Sequence, residues 1–150
     1  MSGFLLDTNI PSETVRPQPE PKIAAWLASQ KIESLYLSVV SCGELRKGIA
    51  VLAAGRRKNE LEAWYGEDLL KSFSGRILPL TQTIAERWGA LEAQRQLIGR
   101  PIQVPDAQIA ATAIEHGLTL VTRNVKDFDG LGVTIINPWD GLAPSFETSG

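Results

Sequence analysis

Five short runs of apolar and β-branched residues, at 3–6, 35–37, 76–80, 118–121 and 133–136, recur along the chain with longer segments of helical periodicity between them. Runs this short and this apolar read as strands buried on both faces. Strands separated by helix-length segments pair in parallel, because a parallel connection needs a crossover. The pattern therefore predicts an α/β fold, a three-layer α/β/α sandwich with a central, mainly parallel sheet of short strands. At 150 residues the chain has the length of one domain, which can bury a core without disulfides or a structural metal.

The segments between the runs carry their own punctuation. Asp7-Thr8-Asn9 closes the first run as a polar turn, and Ile10 opens a short helix that prolines 17, 19 and 21 interrupt. Ile23, Trp26 and Leu27 mark an amphipathic helix from Pro21. Ser38 and Ser41 both offer caps to a helix in which Leu45, Ile49 and Leu52 recur up to Gly55, with Leu45 and Leu52 facing the core. A second helix carrying Leu61, Trp64, Tyr65 and Leu69 completes a helical hairpin. Ile84, Trp88, Leu91 and Ile98 give a long helix closed by Gly99, and residues 100–104 form a loop. Pro105 takes the first position of a helix rich in Ala and Ile that stops at His116-Gly117. His116 is then a helix-end cation rather than a ligand. A domain at 1–142 and a flexible C-terminal tail at 143–150 complete the reading.

Composition excludes more than it assigns. Hydrophobic residues at 43% and charged residues at 21% fit an ordinary globular chain and argue against disorder. No apolar stretch reaches the roughly 20 residues of a bilayer span, and no secretory signal opens the chain, so a cytoplasmic protein without a membrane partner is expected. Cys42, the only cysteine, cannot form an internal disulfide and reads as a buried thiol without chemistry. A net charge of −2 provides no global attraction for nucleic acid, so any phosphate binding must come from local groups or bound cations. The run Arg56-Arg57-Lys58, with Arg46 and Lys47 before it, reads as a solvated helix end rather than an RNA contact.

Four acids remain, and each alone has a structural explanation. Asp7 can cap the helix that begins near Ile10. Glu44, three residues after Ser41, has the spacing of a capping box. Asp106 lies in a first helical turn, where the helix dipole favours an acid. Asp127 can be a turn residue after the fourth strand. Together the explanations fail, because three of these acids sit at or just past strand ends, where open α/β sheets gather ligands. The fourth starts a helix too apolar to tolerate an uncompensated carboxylate. Like charges converging in one place need a cation, and oxygen-only ligands suit Mg²⁺, with Mn²⁺ as a substitute, whereas one histidine and one cysteine make zinc implausible. Such ions activate water against phosphodiesters and offset the missing positive charge.

Leu5-Leu6-Asp7-Thr8-Asn9, Gly43-Glu44-Leu45-Arg46 within residues 38–48, the helix from Pro105-Asp106-Ala107-Gln108-Ile109 to Ala113, and Val121-Thr122-Arg123-Asn124 stand in this order over nearly the whole chain. In that arrangement the sequence resembles the PIN-domain ribonucleases, specifically VapC-type toxins, with FitB-like members the most similar. Asn137-Pro138-Trp139 resembles the FitB-like subgroup. The resemblance implies a PIN domain over 1–142 that acts as a Mg²⁺-dependent endoribonuclease and as the toxin of a type II toxin-antitoxin system. Its implied partners are an RNA substrate, a small DNA-binding VapB- or FitA-like antitoxin, a second copy in a homodimer, and operator DNA reached only through the antitoxin.

Asp7, Glu44 and Asp106 match the family's first three acids. The fourth place falls to Asp127 or to Asn124; Asp127 is favoured as the charge, with Asn124 as a hydrogen-bonding neighbour. Thr8, Asn9 and Thr122 match residues that orient carboxylates or water. A catalytically degenerate PIN domain acting mainly as antitoxin partner is the alternative. A phosphohydrolase with a nucleophilic Asp after its first strand would need a second Asp where Asn9 stands, and a receiver domain would need an acidic pair and a late lysine.

Overall fold

The structure is a computed structural model that describes residues 2–140; the expected tail at 143–150 and the domain's last two residues lie outside them. β1 (Phe4–Leu6) runs through the middle of the sheet, and its two leucines explain why. Successive strand residues point to opposite faces, so Leu5 enters one core with Ile84, Leu91, Ile109 and Leu120, while Leu6 enters another with Ile10, Ile23, Leu37 and Val121. A strand with both faces buried must have helices on each side.

Those helices are supplied in chain order. α1 (Asn9–Thr14), α2 (Pro21–Ala28), β2 (Leu35–Ser38), α3 (Val39–Ala50) and α4 (Arg56–Ala63) come first. A π-helical segment, Trp64–Leu69, then leads into α5 (Leu70–Ser72), β3 (Ile77–Leu78) and α6 (Gln82–Leu97). α7 (Val104–His116), β4 (Thr119–Val121), α8 (Val125–Phe128) and β5 (Ile135–Ile136) follow. The sheet order is β3-β2-β1-β4-β5, and every pairing is parallel, with Leu5 opposite Tyr36 on one side and Leu120 on the other. The chain thus builds outward from β1 through β2 to β3 and then returns to the other side of β1 with β4. The order reverses between β1 and β4, and the crevice beyond their carboxyl ends is where such sheets bind ligands.

Two glycines are required by geometry. Gly3 precedes β1 at φ 141°, and a Cβ there would lie 2.5 Å from the Ser34 carbonyl oxygen. Gly117 ends α7 in the left-handed conformation, φ 65°, which confirms His116 as the last helical residue.

Several local expectations shift. The runs at 76–80 and 133–136 each pair over only two residues, Ile77–Leu78 and Ile135–Ile136, and 118–121 contracts to Thr119–Val121. α3 begins at Val39 because the Ser38 hydroxyl accepts from the Val40 N–H. Ser41 is therefore a buried residue inside the helix rather than a cap, and no Ser41–Glu44 capping box forms. Leu52 lies beyond the helix end and is 36% exposed, and Ile98, which follows α6 as its cap, is 58% exposed. α7 starts one residue before Pro105. Cys42 is half-buried. α8, where only a turn was expected, forms over four residues behind Asn124.

Candidate active site

Asp7 follows β1 directly, and the sheet's burial carries over to it: the residue is only 5% exposed. It is not a helix cap; Thr8 precedes α1, and Asp7 is held from three directions instead. Its Oδ1 accepts from the Thr8 N–H at 2.8 Å, and its Oδ2 accepts from the Thr122 hydroxyl at 2.7 Å and from Asn9 Nδ2 at 3.4 Å. Thr122 follows β4 and is fully buried, so this bond spans the β1–β4 switch point. Burial raises the Asp7 carboxyl above its usual range, the Thr122 and Thr8 bonds oppose the rise, and the charges of Glu44 and Asp127 add to it.

Asp106 approaches from the first turn of α7 and is half-buried. Desolvation pushes its carboxyl up to about 6, reinforced by the charges of Asp7, Asp127 and Glu44 and opposed by Arg95. Glu44, on the exposed side of α3, accepts from the Thr8 hydroxyl at 2.5 Å, and that hydroxyl lies 2.8 Å from the Ser41 hydroxyl. Thr8 thus ties α3 to the β1 end. Asp127 stands exposed in the first turn of α8, near enough for its charge to act on both Asp7 and Asp106. Asn124 is exposed; its backbone N–H donates to the Thr122 hydroxyl at 3.0 Å. Asn9 adds a link to Arg123, accepting its N–H at 3.5 Å.

The four acids are thus close enough for the charges of Glu44 and Asp127 to act on both Asp7 and Asp106, with Asp7 buried, Asp106 half-buried, and Glu44 and Asp127 exposed. Among the described residues no group of three or more His, Cys, Asp or Glu is gathered closely enough to cage an ion unaided. The donor set is all carboxylate, and the charges of Glu44 and Asp127 raise both Asp7 and Asp106. That fits a hard cation held by one or two carboxylates and completed by water and phosphate oxygens, the usual mode for Mg²⁺.

Three features escaped the sequence reading. Ser41 supports Thr8, and its only signal was a serine misread as a cap. A cleft of about 550 Å³ opens beside Glu44, walled by Val39, Val40, Leu80 and Pro105 and edged by Lys47 and Gln108. Arg95 is 4% exposed, and no motif marks it. The basic run opens α4 and makes intrachain contacts: Lys58 Nζ donates to the Ala50 and Leu52 carbonyls at 3.1 and 3.2 Å, Arg57 donates to the Val15 carbonyl, and Arg46 before it pairs with Glu62 at 3.4 Å.

An all-parallel sheet with four carboxylates at its switch point is the arrangement of a defined class: the chain belongs to the PIN domain family, which matches residues 4–132. It is similar to the toxin FitB of Neisseria gonorrhoeae, 41% identical over 136 residues, covering 91% of this chain and 98% of that protein. It is similar also to the VapC ribonuclease Y4jK of Sinorhizobium fredii, 38% identical over 91% of this chain and 98% of that protein. Among solved structures, the FitAB complex bound to a DNA fragment superposes with a TM-score of 0.89 at 38% identity, covering 95% of this chain and 99% of that one.

Proposed function

We propose that this protein is a metal-dependent endoribonuclease and the toxin of a type II toxin-antitoxin pair. The observation that carries the reading is the shared crevice of Asp7, Glu44, Asp106 and Asp127, in which burial and mutual repulsion oppose the ionised state of Asp7 and Asp106. Charge strain of this kind is relieved by a cation, and the relatives named as ribonuclease and toxin support RNA as the substrate. A bound Mg²⁺, or Mn²⁺ in its place, would activate water and stabilise the oxygen leaving the phosphodiester.

The chain's own residues do the rest. Asp7, with both oxygens fixed by Thr8, Asn9 and Thr122, is a pre-oriented ligand. Asp106 supplies the facing carboxylate. Glu44, steered by Thr8, and Asp127 hold the rim, where water and the RNA backbone enter. The cleft beside Glu44 gives an unpaired strand an apolar wall next to the acids.

The same uncompensated carboxylates suit a basic side chain from an antitoxin, whose binding would silence the enzyme. Operator DNA would be reached only through that antitoxin, as the FitAB–DNA relative suggests, and a homodimer is the expected assembly. No helix among the described residues is long and apolar enough to cross a membrane; a cytoplasmic site of action is part of the proposal.

The test is cleavage of a fluorescent RNA by the protein purified free of antitoxin. Cleavage with Mg²⁺ or Mn²⁺, abolished by EDTA and by Asp7→Asn, is expected. Undiminished cleavage in excess EDTA would overturn the reading.

A further inference from the structure

Arg95 is a charged residue of the long helix α6, yet it is 4% exposed and pairs with no carboxylate among the described residues. Its guanidinium is used on main-chain carbonyls. One terminal nitrogen donates to the Asp127 carbonyl at 2.8 Å and to the Asp129 carbonyl at 3.0 Å; the other donates to the Arg100 carbonyl at 3.4 Å. Two neighbours extend the grip, since Gln94 Nε2 donates to the Gly130 carbonyl at 3.2 Å and Arg100 donates to the Lys126 carbonyl at 3.4 Å. The last turn of α6 and the loop after it thereby hold four carbonyls of residues 126–130.

Burying a guanidinium is costly unless its donors are satisfied and its charge is answered. What it holds is α8, a helix of four residues whose side-chain anchor in the core is Phe128. A single aromatic anchor fixes depth but leaves a one-turn helix free to rotate about it. A planar fork donating to carbonyls on both sides of Phe128 removes that freedom. Asp127 is the residue whose direction this settles.

We infer that Arg95 is the positioning residue of the fourth acid, aiming Asp127 at the crevice through its two bonds to the Asp127 and Asp129 carbonyls. The inference rests on the cation-site reading above and adds a residue outside the acid motif. Lysine keeps the charge but not the fork, so charge alone does not replace it.

The experiment titrates Mn²⁺ into the full-length protein by calorimetry, comparing wild type, Asp7→Asn, Arg95→Lys and Arg95→Gln. RNA cleavage kinetics are measured on the same samples. Outer residues that orient ligands alter metal affinity by on the order of 10-fold or more. Arg95→Lys is expected to weaken Mn²⁺ binding by about that factor and to lower kcat while KM for RNA holds within about twofold. If the Arg95 variants do not fold, Asp127→Asn takes their place, removing the carboxylate that Arg95 is inferred to aim, and is expected to weaken Mn²⁺ binding by about the same factor. Folded Arg95 variants that bind Mn²⁺ as wild type does, while Asp7→Asn does not, overturn the inference alone; so does Asp127→Asn with wild-type affinity where the Arg95 variants fail to fold. A wild-type protein that binds no Mn²⁺ overturns the cation-site reading and this inference with it.

Discussion

Replacing Asp106 by Asn is expected to make the metal-free protein more stable while abolishing RNA cleavage. In the folded state the Asp106 carboxyl is moved from 3.8 to about 6 by desolvation and by the charges of Asp7, Asp127 and Glu44. The proton is therefore held more tightly in the folded chain than in the unfolded one. Between these two values the folded state binds more protons, so stability falls as pH rises, and above about 6 the full penalty is present. Such a shift alone corresponds to on the order of 3 kcal/mol, and solvent screening at a half-buried site leaves about 1–2 kcal/mol.

No hydrogen bond contributes to the shift, so the neutral amide sacrifices no identified partner. The assay is urea unfolding in EDTA at pH 7.5 and at pH 5. Asp106→Asn is expected to gain about 1–2 kcal/mol at pH 7.5, or about 2–8 °C in Tm for a domain of this size, and roughly half of that at pH 5. A variant no more stable than wild type at pH 7.5, or a gain that does not shrink at pH 5, would refute the reasoning.

Other perturbations test neighbouring parts of the account. Mn²⁺ affinity of the wild type should fall as pH drops below about 6, as Asp106 must release its proton to bind; an affinity flat from pH 7.5 to 5 by calorimetry would count against Asp106 as a ligand. Thr122→Val removes the hydroxyl that lowers the Asp7 carboxyl. It should raise the pH below which RNA cleavage is lost and cost about 1–3 kcal/mol of stability by urea melt. Gly3→Ala should cost about 1–3 kcal/mol, from the φ of 141° and the 2.5 Å approach to the Ser34 carbonyl. Ile109→Ala, which empties a fully packed site between α7 and the sheet, should cost about 2–5 kcal/mol. A thermal melt checks both.

The layer architecture was legible because it follows from apolar runs such as Leu5-Leu6, whose burial on both faces leaves no other arrangement. Strand lengths were not. Leu80 and Val133 continue apolar runs but pack beside the sheet instead of pairing in it, and hydrophobic pattern cannot tell these apart. The start of α3 was left open between Ser38 and Ser41, equally good caps by composition; only the Val40 N–H, bound by Ser38, decides.

Within the site, Asp7, Glu44, Asp106 and Asp127 were visible as acids at strand and helix ends, and the fold brings their charges to one crevice. Arg95 was invisible because its partners are main-chain carbonyls some thirty positions away, which leave no mark on side-chain spacing. The segment that carries Asp127 was read as a turn because a four-residue helix has too little periodicity to detect.

The most direct measurement is anomalous scattering from crystals of the antitoxin-free protein soaked in Mn²⁺. A peak within about 2.0–2.6 Å of an Asp7 or Asp106 carboxylate oxygen, absent from crystals of Asp7→Asn, is the result this account predicts. No peak in that crevice, from a preparation that still cleaves RNA, would contradict it.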